Sequence, residues 1–349
     1  MKITIIGGGV CGLYLAKNLA ERNHKITVFE KKKTIGKLCC SGLFSARLFD
    51  FVPEARGLAT NQINRCIINF PKKKINLKFR PPFFVIDHAR LDLLVAALAT
   101  RAGANIRIGQ NIDFARLETL SAEYDRIIGC DGALSTIRQY LISGNQTSCA
   151  GQTHAKLRGS DPRKNNRPNF MLGIQGFEQK ADDSDFVETW ATKNGFLWRI
   201  PRSEDVEWGI MEEPDVARRL FDEFIAQKNI KLEDLRSAII PQGLTIPQNK
   251  KITLCGDASG LTKPWSGGGV IWNLTQADLL LKNFPNFIQY RKEAKRFFGL
   301  RLFAGNFAKK CAYFTGFNLP WIIPGDFNLD GDYLLKFKRN DNGQSRNSA

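Results

Sequence analysis

Residues 2–31 limit what this chain can fold into more than any other stretch. "KITII" is a short apolar, β-branched run, "GGGVCG" is a turn, "LYLAKNLAER" has helical spacing and "KITVFEK" is a second strand. Strand, glycine-rich turn, helix and strand in that order make a βαβ unit with parallel strands. Within the turn Gly7, Gly9 and Gly12 spell GxGxxG. Gly7 permits the tight turn, Gly9 lets backbone approach a pyrophosphate, and Gly12 lets the helix pack close to the strand. The helix N-terminus adds free N–H groups and positive potential. Glu30 ends the second strand 18 residues after Gly12, where a carboxylate can accept from both ribose hydroxyls and disfavours a 2′-phosphate. A dinucleotide site is the expectation; a glycine-rich turn without a ligand is the alternative.

Further along, "PKKK" and "RPPF" are expected to break the region from Ile63 into short strands, before a helix over "ARLDLLVAALATRAG" that ends at Gly103. "YDRIIGCDGALSTIRQYL" reads as buried strand, turn and helix, and residues 144–168 as a polar, mobile loop. From about 169 to 211, "NFMLGIQGF", "DFVETWAT", "GFLWRI" and "VEWGIM" predict antiparallel strands, and "KKITLCGDASG" returns the chain to the first sheet. Residues 287–325 predict a long helix followed by an aromatic hairpin or loop, with Phe287, Tyr290, Ala294, Phe297, Phe298, Arg301 and Leu302 along one stripe. The fold class expected is α/β: a Rossmann-like, doubly wound, mostly parallel domain with an antiparallel-sheet substrate domain and a C-terminal helical segment. The divisions are 1–62, 88–143 and 250–285 for the first domain and 63–87 and 144–249 for the second. Residues 286–335 form the C-terminal segment, and 336–349 a disordered tail.

No apolar run reaches the roughly 18 residues of a membrane span, and the first strand begins at Ile3, so a cytoplasmic protein is expected, with the inner membrane face as a peripheral site. Eight cysteines show no CxxC pair and no zinc-ligand spacing, which predicts reduced thiols and no metal. A formal net charge of +17 favours polyanions, an anionic lipid surface or nucleic acid, unless it reflects lysine-rich composition alone. No specific nucleic-acid motif is present. His24 and His88 are expected in surface or helix-capping roles, and His154 in the polar loop.

Two further segments, "GCDGALSTIR" (129–138) and "CGDASGLTKPWSGGGV" (255–270), each end a buried strand in Asp with glycines beyond. In a doubly wound sheet such ends line the cofactor crevice, which makes Asp131, Gly132, Gly256 and Asp257 candidates. Asp257 is placed for a ribityl hydroxyl, and Gly267 and Gly269 let a helix start approach a flavin or pyrophosphate. Structural turns would account for either segment too.

Taken together these segments resemble FAD-dependent oxidoreductases of the aromatic-hydroxylase fold group, and details are similar to the geranylgeranyl reductase family. "FLWRIPRSEDVEWG" resembles that family's YxWxFPx7G at Trp198, Pro201 and Gly209, with Phe196 for Tyr and Ile200 for Phe. "CCSGLFSAR" resembles its Cys-x-Gly-Leu-x-Ser segment, "GDASGLTKPWSGGG" its GDAAGxxxPxxGxG, and "VIDHARLD" its VxDRxxFD, with His88 at the usual Arg and Arg90 nearby. The likeness spans roughly residues 1–275.

The resemblance implies FAD as cofactor, a prenylated lipid or diphosphate as substrate, and saturation of prenyl C=C bonds. It implies Cys40 as proton donor, a thiol that is mostly neutral at pH 7 if its pKa stays near 8.5. It also implies a substrate site at Phe196, Trp198, Ile200, Pro201 and Gly209. With one GxGxxG only, electrons are expected from visiting NAD(P)H or from a ferredoxin-like, acidic donor protein. The rival within the fold is a flavin monooxygenase; the rival of another class is a polyanion-binding protein that keeps flavin for structure.

Overall fold

A computed structural model of the chain describes residues 1–147 and 169–332. His154, Cys149, most of the expected polar loop and the tail from 336 lie outside the described residues. The first half runs β1 (Lys2–Ile6), α1 (Val10–Ala20), β2 (Lys25–Phe29), β3 (Leu43–Ser45), α2 (Leu48–Phe51), β4 (Ala59–Phe70), β5 (Lys73–Ile86), α3 (His88–Arg101), β6 (Asn105–Arg107), α4 (Phe114–Glu123), β7 (Arg126–Gly129) and α5 (Thr136–Thr147). The second runs β8 (Asn169–Glu178), β9 (Phe186–Ala191), β10 (Phe196–Pro201), β11 (Val206–Glu212), α6 (Pro214–Gln227), β12 (Glu233–Gln242), β13 (Ile252–Leu254), α7 (Val270–Asn283), α8 (Phe287–Asn318) and β14 (Asp326–Leu329).

Five strands form an all-parallel sheet in the order β13-β7-β1-β2-β6. Its strands read as continuous apolar runs because helices cover both faces. Ile3, Ile5 and Val28 pack with α1, α3, α7 and α8, whereas Ile127, Ile252 and Leu254 pack with Leu117, Leu120 and Ile137 of α4 and α5. A Cβ on Gly12 would lie 2.2 Å from the Gly7 carbonyl oxygen, so α1 can pass this close to the turn only with glycine there. In α3, Asp87 caps the helix by accepting from the Arg90 N–H at 2.8 Å, and His88, Leu91, Asp92, Val95 and Ala99 form its buried face.

The second sheet has nine strands, eight of them in the order β12-β8-β11-β10-β9-β4-β5-β14, with β3 beside β5. Its neighbours are antiparallel except at β4–β9 and β5–β14. The short strands expected from Ile63 are instead one hairpin with strands of 12 and 14 residues. "PKKK" supplies its turn, since Phe70 pairs with Lys73. The proline pair sits at a bulge: Lys78 faces Arg65 and Phe83 faces Ile63, so residues 79–82 oppose Asn64 alone and the missing proline N–H groups break no ladder bond. The two short strands β3 and β14 also join this sheet, although the first falls within residues 1–62 and the second within 286–335. α8 is a single helix of 32 residues, and the turn at Pro320–Ile322 that follows it carries Trp321. Phe287, Tyr290, Ala294 and Phe298 of its expected stripe are buried in the main core. Among the described residues, no helix is long and apolar enough to cross a membrane.

Candidate active site

Between the two sheets lies one cavity of about 1510 Å³, larger than the roughly 300–1,000 Å³ of an ordinary small-molecule pocket. From the parallel sheet it is lined by the Gly7–Gly12 turn, Glu30, Asp131, Gly132, Gly256, Asp257, Gly267 and Gly269. From the second sheet it is lined by apolar side chains that include Phe79, Phe83, Phe196, Trp198 and Ile200. Cys40 and His88 line it as well. Of the residues expected at the site, Pro201 and Gly209 do not reach the wall.

Gly209 has a different task. A Cβ there would lie 2.2 Å from Trp198 Cζ2, so the glycine seats the indole. Trp198 Nε1–H donates to Glu207 Oε1 at 2.9 Å, and Arg202 Nη2 lies 2.6 Å from Glu207 Oε2. Burial pushes the Glu207 carboxyl up, opposed by the charge of Arg202. Arg202 also donates to the Ser41 carbonyl at 2.6 Å, so this buried pair grips the loop that carries Cys40.

The dinucleotide turn fits an anionic ligand. Gly9 is the N-cap of α1 with no side-chain cap, and the first turn holds no acidic residue, which leaves its N–H groups for a guest. A Cβ on Gly9 or Gly132 would meet nothing within 4 Å, so both face open space. Glu30 accepts from the Gly8 N–H at 2.7 Å and the Lys32 N–H at 2.9 Å, which leaves further lone pairs of a carboxylate available. Asp131 is more committed: it accepts from Ser135 Oγ at 2.5 Å and the Thr136 N–H at 2.7 Å, holding the start of α5. Asp257 lies 3.1 Å from Lys37 Nζ and accepts from Asn273 Nδ2 at 2.7 Å. Burial raises its carboxyl, but Lys37 and Asn273 outweigh burial and hold it below the usual range. Gly267 has φ +66°, and Gly269 caps α7 without a side-chain bond.

Cys40 sits in a loop held between the two sheets, with His88 and Lys37 as its charged neighbours. Gly42, at φ +64°, pins its loop against the end of β5, because a Cβ there would lie 2.3 Å from the Ile86 carbonyl oxygen. Burial pushes the Cys40 thiol up, yet the charge and hydrogen bonding of His88, the charge of Lys37 and the Gly42 N–H bring it below its ordinary value. His88 is correspondingly held to about 10: burial lowers it, and the Cys40 sulfur and Asp92 more than offset that. His88 Nε2 lies 3.6 Å from Asp92 Oδ1, and Phe44 packs edge-on against its ring at 5.6 Å. The surface or capping role expected for His88 is therefore corrected, since the residue is only 5 % exposed. Arg90 does not stand in for it, because its side chain is exposed and the helix turns it away. The overlooked signal was the i, i+4 spacing of His88 and Asp92 on the same face as Leu91 and Val95.

A second buried charge cluster closes the cavity from the C-terminal side. Lys263 Nζ lies 3.0 Å from Asp332 Oδ1, Arg47 Nη1 lies 3.0 Å from Asp332 Oδ2 and 2.6 Å from Asp330 Oδ1, and Ser45 also donates to Asp332. These contacts tie the residues after β14 to β3 and to the loop before α7.

Residues 5–55 match the family described as NAD(P)-binding Rossmann-like domain. A digeranylgeranylglycerophospholipid reductase of Methanothrix thermoacetophila is 22% identical over 316 residues, covering 80% of this chain and 75% of the relative. One of Methanosphaera stadtmanae is 23% identical, covering 77% and 71%. Among solved structures, a geranylgeranyl bacteriochlorophyll reductase-like protein of Thermoplasma acidophilum superposes with a TM-score of 0.69 at 19% identity, over 89% of this chain and 87% of that one. A flavin-dependent halogenase of Xanthomonas campestris gives 0.63 at 16% identity, over 87% and 76%.

The chain shares the two-sheet architecture of these reductase-like and halogenase structures. In sequence the chain is similar to digeranylgeranylglycerophospholipid reductases, and in fold to a geranylgeranyl bacteriochlorophyll reductase-like protein.

Proposed function

We propose that the protein is an FAD-dependent reductase that saturates C=C bonds in the prenyl chains of a lipid or diphosphate. One observation carries this reading: a single cavity joins a dinucleotide turn to an apolar chamber, with a titratable Cys40–His88 pair on its wall. Gly7, Gly9 and the α1 N–H groups would take the pyrophosphate, Glu30 the adenosine ribose, and Asp257 with the Gly267–Gly269 turn the ribityl and flavin side. Reduced FAD, when bound, would supply one hydride, which carries both electrons.

Saturating one double bond takes one hydride and one proton, and the proton is the chain's own contribution. His88, held protonated by Cys40 and Asp92, is the reservoir at neutral pH, and the Cys40 sulfur is the atom that delivers. The apolar wall formed by Phe79, Phe83, Phe196, Trp198 and Ile200 receives the prenyl chain and excludes water. The sequence holds one dinucleotide motif, so electrons arrive from visiting NAD(P)H or a small acidic carrier such as a ferredoxin. The test is to assay NAD(P)H or reduced carrier with a geranylgeranyl lipid while recording oxygen. Saturated lipid without oxygen uptake supports the reductase; stoichiometric oxygen uptake with a hydroxylated product refutes it.

A further inference from the structure

α8 carries an apolar stripe that the protein does not bury. Leu300, Phe303, Phe307 and Phe314 are 73, 72, 64 and 60% exposed. At 3.6 residues per turn these four fall within an arc of about 60°. Trp321 and Ile322, 72 and 61% exposed, extend the surface just beyond the helix. Lys292, Arg296 and Lys310 are exposed on the same side, and from Ala294 to Asn318 the helix has no Asp or Glu. Other faces of α8 do different work: Phe287, Tyr290 and Phe298 are core, while Gly305, Ala308 and Ala312 line the cavity.

We propose that this stripe is a docking surface for an anionic lipid bilayer, on which α8 lies in the interface with its phenylalanines among the acyl chains. A bilayer satisfies both features at once, taking the apolar side chains below the headgroups and pairing the flanking cations with lipid phosphates. A second copy of this chain fits less well, because apposing two such stripes brings like charges together, and the helix's one acid, Glu293, is already paired with Lys282. The helix lies on the membrane and does not cross it, since no helix among the described residues is long and apolar enough to span. That the docked lipid is also the substrate rests on the reading above; the docking surface does not. Because small residues of the same helix line the cavity, docking sets the cavity wall beside the acyl layer.

Vesicle flotation of the full chain tests this. Vesicles with equal parts of phosphatidylglycerol and phosphatidylcholine should carry the protein upward, and about 1 M salt, which shortens the Debye length to about 3 Å, should release much of it. The triple variant Phe303→Ser, Phe307→Ser, Phe314→Ser should bind at least about tenfold less, with thermal midpoint and flavin content unchanged. Its turnover of detergent-dispersed substrate should also be unchanged, since none of the three lines the cavity. Lys292→Glu with Arg296→Glu and Lys310→Glu should abolish the preference for anionic vesicles. A wild-type protein that stays at the bottom of the gradient overturns the proposal. So does a dimer in solution that the triple variant splits. Flotation without turnover of any prenyl lipid would leave the docking intact and refute the reductase reading instead.

Discussion

Replacing His88 by Gln removes the cation beside Cys40 and leaves the burial, Lys37 and the Gly42 N–H in place. A neighbouring opposite charge typically lowers a pKa by about 1–3 units, so its loss should move the Cys40 titration upward. Below the wild-type pKa, a rise of about two units, within that range, would cut the thiolate fraction about 100-fold. A Brønsted slope of about 0.5 returns roughly tenfold in nucleophilicity, for a net loss of about tenfold. Iodoacetamide labelling followed by peptide mass spectrometry reads Cys40 separately from exposed Cys311. The midpoint of its pH–rate profile should rise in His88→Gln, with Cys39 as an internal control that stays slow because burial pushes that thiol to about 11. A midpoint that stays put or falls would refute the ion-pair argument, and with it the assignment of His88 as proton reservoir.

The stability of the fold should carry the same signature. His88 has a folded pKa of about 10 against 6.5 unfolded, so its contribution is complete below about pH 6.5 and is lost as pH climbs through 10. Urea unfolding at pH 6.5 and pH 10 should show a loss of a few kcal/mol that is smaller in His88→Gln; equal losses contradict it. Gly9→Ala should keep the wild-type thermal midpoint yet lose flavin absorbance, because its Cβ enters open cavity, whereas Gly12→Ala should fail to fold stably. Unaltered flavin content in Gly9→Ala would contradict the placement of the pyrophosphate. Asp332→Ala strands the buried Lys263, while Arg47 keeps Asp330, and should cost about 3–5 kcal/mol in chemical denaturation; a loss under about 1 kcal/mol would show the cluster to be incidental.

How much of this could be read from residues alone depended on whether the constraint was local. The βαβ unit was legible because its period, its glycines and Glu30 all fall within residues 2–31, and the aromatic strands β8–β11 announced themselves by composition. The β4–β5 hairpin was not legible, since prolines normally end a strand and only the bulge opposite Asn64 lets them stay. Cys40 was singled out through resemblance, but its neighbour His88 was not legible beside it, because His88 lies 48 positions away and comes to it only when α3 packs on the parallel sheet. Pro201 and Gly209 belong to the motif and not to the wall, a distinction that required seeing where the Trp198 indole rests.

An anaerobic single-turnover measurement decides whether the protein reduces prenyl chains. The purified protein, photoreduced under argon, is mixed with a geranylgeranyl glycerophospholipid; flavin absorbance is followed and the lipid is weighed by mass spectrometry. Reoxidation of the flavin together with lipid mass gained in steps of two hydrogens is the predicted result. A flavin that remains reduced until oxygen is admitted, beside a lipid of unchanged mass, would contradict it.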